Sequence, residues 1–393
     1  MSCFQTRVVL RRLSLACVLA AASTSGHAQS SYSLTVLKPP SKGSHEGQYG
    51  GEAPPSRTLI DTSDQVITTV NDVYKYTYSI LTWFLPQADI RRFAHRWPAG
   101  TGASVSGSRF GAEPVLSGGG NDVYFVPSHT GAKVVLNRNL LDAKTSKVLG
   151  NYPSDVYSPT AVNTSGAILF RGTAPWQPGR TQPAQPLGGD GWDINEAGLV
   201  AGSVGTNVPQ RMQAATWRNG VWQPLPQQAG VAGTVLRLNE NGQMLVMRSL
   251  TEVCRQAESG PFCALAAPQV FFRAANGVET ALLGEGDSRR LGRTLMNNVG
   301  TVVGCMGPAS SDQLFFDLTP WTNLGVCSAP DARAYIWQKG VLSDLASHVA
   351  SKGVKLPAGA QLTDVLAIND KGSLVVRMIV GTAYSLVRLT AKP

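Results

Sequence analysis

The chain has 393 residues, a formal net charge of +9, only 15% charged residues and 41 glycines. Three of its arginines fall in the first 28 residues, which carry no acid, so the remainder stands at +6; an excess so mild on so long a chain supports no nucleic-acid reading. Sparse charge with abundant glycine suits a secreted β-rich protein full of tight turns better than a helical enzyme.

Residues 1–28 read as a signal peptide. Arg7, Arg11 and Arg12 form the charged region, Leu13–Ala22 the apolar stretch, and Gly26-His27-Ala28 the small-residue cleavage site, which predicts a mature start near Gln29. A lipoprotein reading through Cys17 is weaker, because Ser14 stands where a lipobox wants leucine. No integral membrane segment is expected once the leader is removed.

Residues 29–57 hold a lone strand, Tyr32–Leu37, and a linker rich in glycine, proline and serine, Pro39–Pro55. Residues 58–393 read as one repeat domain. Leu59–Ile67 looks like a worn first copy, with Asp61 and Asp64 in the turn, and Tyr76–Leu85 would be its second hairpin. Gln87–Trp97 can be drawn as a short helix, with Ile90, Phe93, Ala94 and Trp97 on one face and Arg91, Arg92, His95 and Arg96 on the other. That face could meet an anionic glycan, lipid or acidic partner, or it could be the solvated side of an insertion. A second worn copy would run through Val115–Val126, turning at Gly118-Gly119-Gly120-Asn121.

Clear copies come next. Asn-x-x-Gly occurs at Asn163–Gly166, Asn195–Gly198, Asn239–Gly242, Asn297–Gly300 and Asn369–Gly372, each leading into an apolar run. Asparagine and glycine tolerate positive φ, so each predicts a tight turn between strands. A second turn, Trp-x-x-Gly, occurs at Trp217–Gly220 and Trp337–Gly340, with a degenerate form through Phe272, Gly277 and Leu282. One unit is therefore two hairpins, or four short strands.

On these motifs the chain resembles the HAF-repeat family of predicted extracellular repeat proteins. Met296-Asn297-Asn298-Val299-Gly300-Thr301-Val302-Val303-Gly304 and Ala334-Tyr335-Ile336-Trp337-Gln338-Lys339-Gly340 carry the resemblance, which covers about residues 160–390. The histidine that names the repeat is absent, its place held by Gln213, Arg333 and Thr382. The resemblance implies an exported protein and no particular reaction.

Two worn and five clear copies predict an all-β fold: a β-propeller of seven four-stranded blades, give or take one. The last copy lacks a fourth strand, and the N-terminal strand is expected to supply it and close the ring. Cys254, Cys263, Cys305 and Cys327 remain after processing, an even number that in an exported chain argues for two disulfides. Three connectivities are possible; the local pairs, Cys254 with Cys263 and Cys305 with Cys327, are preferred because each lies within one repeat.

Both kinds of short turn share one face, expected to be scaffold. The long connections Leu250–Pro268, Met306–Pro330 and Ala346–Gln361 share the other, where ligand contacts are expected. Phe315, Phe316 and Trp321 are the first ligand-binding candidates, able to stack on a sugar or grip a peptide. Asp312 with Asp317 offers a poor glycosidase pair, and Asp190, Asp193 and Glu196 match no named calcium loop. No nucleophile elbow, zinc, phosphate or dinucleotide motif is found, so no catalytic residue, metal or cofactor is assigned.

The reading is an exported propeller, periplasmic or extracellular, that binds an unidentified glycan or protein. The alternatives are an enzyme acting on a cell-envelope polymer and a structural surface protein. Carboxylates or histidines converging on the central channel would favour catalysis; an apolar or glycine-lined channel would favour binding.

Overall fold

The structure, a computed structural model, describes residues 31–38, 43–44, 58–77, 87–100, 102–110, 125–152, 159–170, 172–179, 186–205, 212–226, 232–257, 260–284, 287–308, 318, 320 and 324–392. Residues 1–30, expected to include a leader, and most of the expected linker lie outside these residues. The fold is an all-β propeller. Among the described residues, six sheets carry four or five strands, and a further sheet between them, Pro159–Val162 with Ile168–Phe170, carries two. Isolated bridges from Ile168 to Trp176 and from Thr173 to Pro186 extend that reduced sheet. Among the described residues, the seven four-stranded blades expected from the repeats, give or take one, are thus six, plus a unit for which two strands are described.

Each unit opens with an inner-edge strand: Leu59–Ile60, Phe125–Pro127, Pro159–Val162, Asp190–Ile194, Ala232–Leu238, Arg289–Met296 and Ala360–Ile368. Buried apolar residues fall into seven clusters among the described residues, each joining neighbouring sheets; one, for example, packs Leu245 and Met247 against Val302 and Tyr335. The core is a ring of sheet-to-sheet interfaces around a channel, which is why no single repeat can bury its own apolar face.

The ring closes as the sequence predicts. Ser31–Lys38 pairs antiparallel with Ala383–Lys392, completing the last sheet with a strand from the other end of the chain. The same strand runs parallel to Ser104–Ser106, and Trp97 Nε1 donates to the Lys38 carbonyl at 2.7 Å. Arg388, fully buried, donates from Nη1 to the carbonyls of Asp64 (2.6 Å) and Pro98 (2.9 Å) and from Nη2 to that of Gly100.

The Asn-x-x-Gly turn has one construction throughout. In Asn297–Gly300 the Asn297 N–H donates to the Thr301 carbonyl (3.2 Å), the Gly300 N–H donates to the Asn297 carbonyl (3.1 Å), and Asn297 Oδ1 accepts the Thr301 N–H (2.9 Å). Gly300 has φ +79°, a conformation that disfavours a side chain. The amide then reaches out of its own unit: Asn297 Nδ2 donates to the Asn369 carbonyl at 2.9 Å, Asn239 Nδ2 to that of Asn297 at 3.1 Å, and Asn369 Nδ2 to that of Asp61 at 2.8 Å. Asparagine recurs because only its side chain both accepts within the turn and donates to the next one.

Two expectations are corrected, and two others fall partly or wholly outside the described residues. Gln87–Trp97 is a strand, not a helix, paired with Val66–Thr77 from Val66↔Trp97 to Thr77↔Gln87. A 12-residue partner strand with a ladder to complete outweighs the helical spacing. His95 is fully buried, and Arg96 donates to the Ala143 carbonyl and Ser146 Oγ, so these two form no solvated basic face. Tyr76 and Thr77 end the long strand, and the rest of the expected second hairpin, Tyr76–Leu85, lies outside the described residues. A worn turn of the same construction sits at Ser128–Gly131, while the expected turn at 118–121 lies outside the described residues. Ser128 N–H donates to the Lys133 carbonyl, Ser128 Oγ accepts the Lys133 N–H, and Gly131 has φ +74°. Finally, Leu250–Pro268 is no loose connection but the end of a hairpin of two 14-residue strands, Met244–Ala257 and Gly260–Arg273. The connection after Asp344 begins with a helix, Leu345–Ser351, capped by Asp344.

Candidate functional site

The channel holds a cavity of about 120 Å³ at the end where the Asn-x-x-Gly turns cluster. The expected scaffold face therefore carries a concave site. Short turns give it no long loops, but the inner strands converge there.

A recurrent β-bulge aims the side chains. The ladder between the first two strands of a unit skips between Gly191 and Asp193, Val235 and Arg237, Leu291 and Thr294, and Leu362 and Asp364. A bulge bends the strand locally and re-aims the side chains beside it. It also presses a carbonyl into the neighbouring strand: a Cβ on Gly304 would lie 1.7 Å from the Arg293 carbonyl oxygen. That accounts for the glycine closing the Thr301-Val302-Val303-Gly304 run. Each of these bulges includes one charged residue: Asp193, Arg237, Arg293 and Asp364.

Asp193 is 2% exposed in its side chain and His129 is 24% exposed; His129 Nε2 meets Asp193 Oδ1 at 2.6 Å. Asp193 Oδ1 also accepts the Ile194 N–H (3.1 Å), and Oδ2 accepts the Leu238 N–H (2.9 Å). Burial by itself would push the His129 imidazole down, but the Asp193 charge and hydrogen bond outweigh it and hold it above the ordinary histidine value. Burial would likewise raise the Asp193 carboxyl, yet His129, Arg237 and the Leu238 N–H hold it below its usual range. Arg237 is lowered by burial and by Arg293 against the pull of Asp193. Its Nη1 donates to the Leu236 carbonyl at 3.3 Å.

Across the cavity Arg293 Nε faces Asp364, at 3.3 Å from Oδ1 and 3.2 Å from Oδ2, and Arg377 Nη2 stands 3.6 Å from Oδ2. The Cys305–Cys327 disulfide lies beneath. Both sulfurs accept the Arg293 N–H at 3.2 Å, and Arg377 Nη1 donates to the Cys327 carbonyl. The Asp364 carboxylate is close to both sulfurs, which are bonded to each other and so offer no thiolate.

Around the mouth the residue after each turn asparagine forms a second belt. Glu196 accepts the N–H groups of Thr164 and Ser165, Glu240 that of Glu196, Asn298 that of Glu240, and Asp370 that of Asn298. The mouth therefore has an acidic rim over an arginine-lined interior.

The sequence candidates fall differently. Phe315, Phe316 and Trp321, with Asp312 and Asp317, lie outside the described residues. Cys305 and Cys327 form the expected disulfide. Cys254 is disulfide-bonded and stands opposite Cys263 in the hairpin ladder. Asp193 and Glu196 do not form a calcium cage; one engages His129 and the other the preceding turn. His129 and the arginines were missed. A signal existed: two residues before the turn asparagine, or the residue replacing it, the chain has Leu59, Val126, Ala161, Leu295 and Ala367, but Asp193 and Arg237 in two copies. Charge at an inward apolar position marks a site.

No protein-family model matches the chain, and no curated protein matches it. Among solved structures it is similar to TolB from Acinetobacter baumannii, with 10% identity and a TM-score of 0.32, over 76% of this chain. The chain spans 59% of the length of that TolB chain.

Proposed function

We propose that the protein is an exported binding module of the HAF-repeat kind and that its ligand site is the turn-side mouth of the channel. The observation carrying this reading is the exposed edge of Arg293. Among the described residues its guanidinium engages Asp364 only through Nε, and its η nitrogens take no protein partner while lying on the cavity wall. Donors left open in a concave, pre-formed site are recognition groups. Export agrees with the Cys305–Cys327 disulfide. The long-loop residues Phe315, Phe316 and Trp321 stay in the proposal as a contact on the opposite face.

The His129–Asp193 pair favours one second reading, an enzyme using His129 as a general base oriented by Asp193. Charged groups do converge on the channel, as that reading requires. Among the described residues, however, no hydroxyl or thiol bonds His129, whose protein hydrogen bond goes to Asp193.

The test is binding of the purified protein to arrays of glycans and of peptides, comparing Arg237→Gln with a triple variant, Phe315→Ala, Phe316→Ala and Trp321→Ala. A hit lost in Arg237→Gln and kept in the triple variant supports the channel mouth. The reverse pattern moves the site to the long loops. Turnover of a bound polymer, lost in His129→Gln, would replace the binding reading with the enzyme.

A further inference from the structure

Not every donor on the cavity wall is used within the protein. Among the described residues, Arg237 spends one η nitrogen on the Leu236 carbonyl, and Arg293 spends Nε on Asp364 and keeps both η nitrogens open. Arg293 is 9% exposed and lines the cavity, so an occupant there is the acceptor its open edge can reach. Open donors on a buried wall call for an acceptor oxygen. The surrounding charge decides which kind. Arg237, Arg293, Arg377 and protonated His129 stand among the carboxylates Asp193, Asp364, Asp370, Glu196 and Glu240. An anion would meet no surplus of positive charge there, and it would have to pass the rim carboxylates. A neutral carbonyl or hydroxyl oxygen takes the same donors without that cost.

Another part of the wall is apolar. Partly buried Leu295 and Ile368 line it with Ile60, Leu366 and Ala367. At roughly 10–15 Å³ for each water-sized group, the cavity of about 120 Å³ takes about ten such groups, a small substituent with part of its carrier. An acetamido group has both halves of this wall's chemistry: a methyl for the apolar side, a carbonyl oxygen for the guanidinium donors, and no charge. The rim favours a sugar over a peptide as the carrier. Glu196, Glu240 and Asp370 come from three different units, and their oxygens accept amide N–H groups yet retain lone pairs. Hydroxyls radiating from a sugar ring donate on several sides at once, whereas an extended peptide has one N–H for each residue. Resting on the channel-mouth reading above, we propose that the cavity binds an N-acetylated amino sugar of a neutral glycan. Its acetamido carbonyl sits at Arg237 and Arg293, its methyl against Leu295 and Ile368, and its hydroxyls at the acidic rim.

Calorimetric titration with di-N-acetylchitobiose, cellobiose and the deacetylated glucosamine dimer tests this. Cellobiose lacks the acetamido group, and the deacetylated dimer replaces it with an ammonium that the acidic rim attracts. Di-N-acetylchitobiose is expected to bind, and each of the others roughly tenfold more weakly or worse. Its affinity should stay within about twofold between low and high salt, because no ligand charge is paired. Arg237→Gln is expected to weaken binding roughly tenfold while keeping the melting temperature, because Arg237 makes one side-chain hydrogen bond, to its neighbour's carbonyl. The sugar series and the salt series use the unaltered protein, so a misfolded glutamine variant does not spoil the test. Equal binding of cellobiose, tighter binding of the deacetylated dimer, a steep salt dependence, unaltered binding in a folded Arg237→Gln, or no binding of di-N-acetylchitobiose at millimolar concentration overturns the proposal. A peptide hit lost in Arg237→Gln, with no sugar bound, overturns the acetamido assignment and leaves the channel-mouth reading standing. A hit confined to the long loops overturns both.

Discussion

The worn turns and the clear turns do the same mechanical work with different atoms. At Asn297–Gly300 a single asparagine closes its turn and ties it to the next unit. At Asp61–Asp64 the first half survives, since Asp61 Oδ1 accepts the Gln65 N–H at 2.9 Å. A carboxylate cannot donate outward, and the turn is tied instead by bonds it receives: Asp64 Oδ1 accepts from Asn369 Nδ2, and Arg388 donates to the Asp64 carbonyl. At Ser128–Gly131 the serine is too short to reach the neighbour, and a Thr130–Thr164 hydroxyl bond at 2.6 Å makes the link. The same worn turn carries His129, which reaches past the intervening unit to Asp193. Where the repeat departs from its rule, either an imported clamp or a site residue is found.

The largest effect should come from the imported clamp. Arg388→Met strips three buried carbonyls of a charged donor and should cost about 3 kcal/mol or more, seen as a lowered denaturant midpoint. If it is neutral, the worn turn needs no clamp. Asn297→Asp comes next: it keeps the turn closure but loses the outward donor and sets a carboxylate against the Asn369 carbonyl, for about 1–3 kcal/mol. The matching change in the worn turn, Asp61→Asn, should stay within about 0.5 kcal/mol; equal effects at both positions would erase the distinction between the two kinds of turn.

Backbone strain separates the two kinds of turn further. Gly300→Ala places a Cβ 2.8 Å from Gln243 Oε1 at φ +79° and should cost about 1–2 kcal/mol. Asp64 holds the corresponding place at φ +66°, so Asp64→Gly relieves strain but removes the acceptor for Asn369 Nδ2, and its midpoint should move less than that of Gly300→Ala. The smallest effect is the pH dependence of the His129–Asp193 link. His129 is raised, so its contribution is complete below the ordinary histidine value of 6.5 and fades as pH rises through its higher folded value. Asp193 is lowered, so its contribution is present above 3.8 and fades as pH falls through its lower folded value. The stability gap between the native protein and His129→Gln, measured by thermal melting, should therefore shrink as pH rises above 6.5 through the raised folded value, whereas a clear-turn variant such as Asn297→Asp should not show that loss.

The repeat, its turns, the strand that closes the ring and the local Cys305–Cys327 disulfide were legible in the chain alone, because these depend on residues near one another or on a pattern counted along the chain. Asn297 announces its turn through chemistry reaching four residues, to Thr301. Which copies keep four strands, that Gln87–Trp97 pairs as a strand, and which face holds the cavity emerged only from the folded ring. The site lay beyond local reading for the same reason. His129, Asp193, Arg237, Arg293 and Asp364 come from five different units, and each is an ordinary charged residue in its own neighbourhood. They become a site only when the ring closes and the bulges turn them to a common axis, where low solvent access makes their charges act on one another.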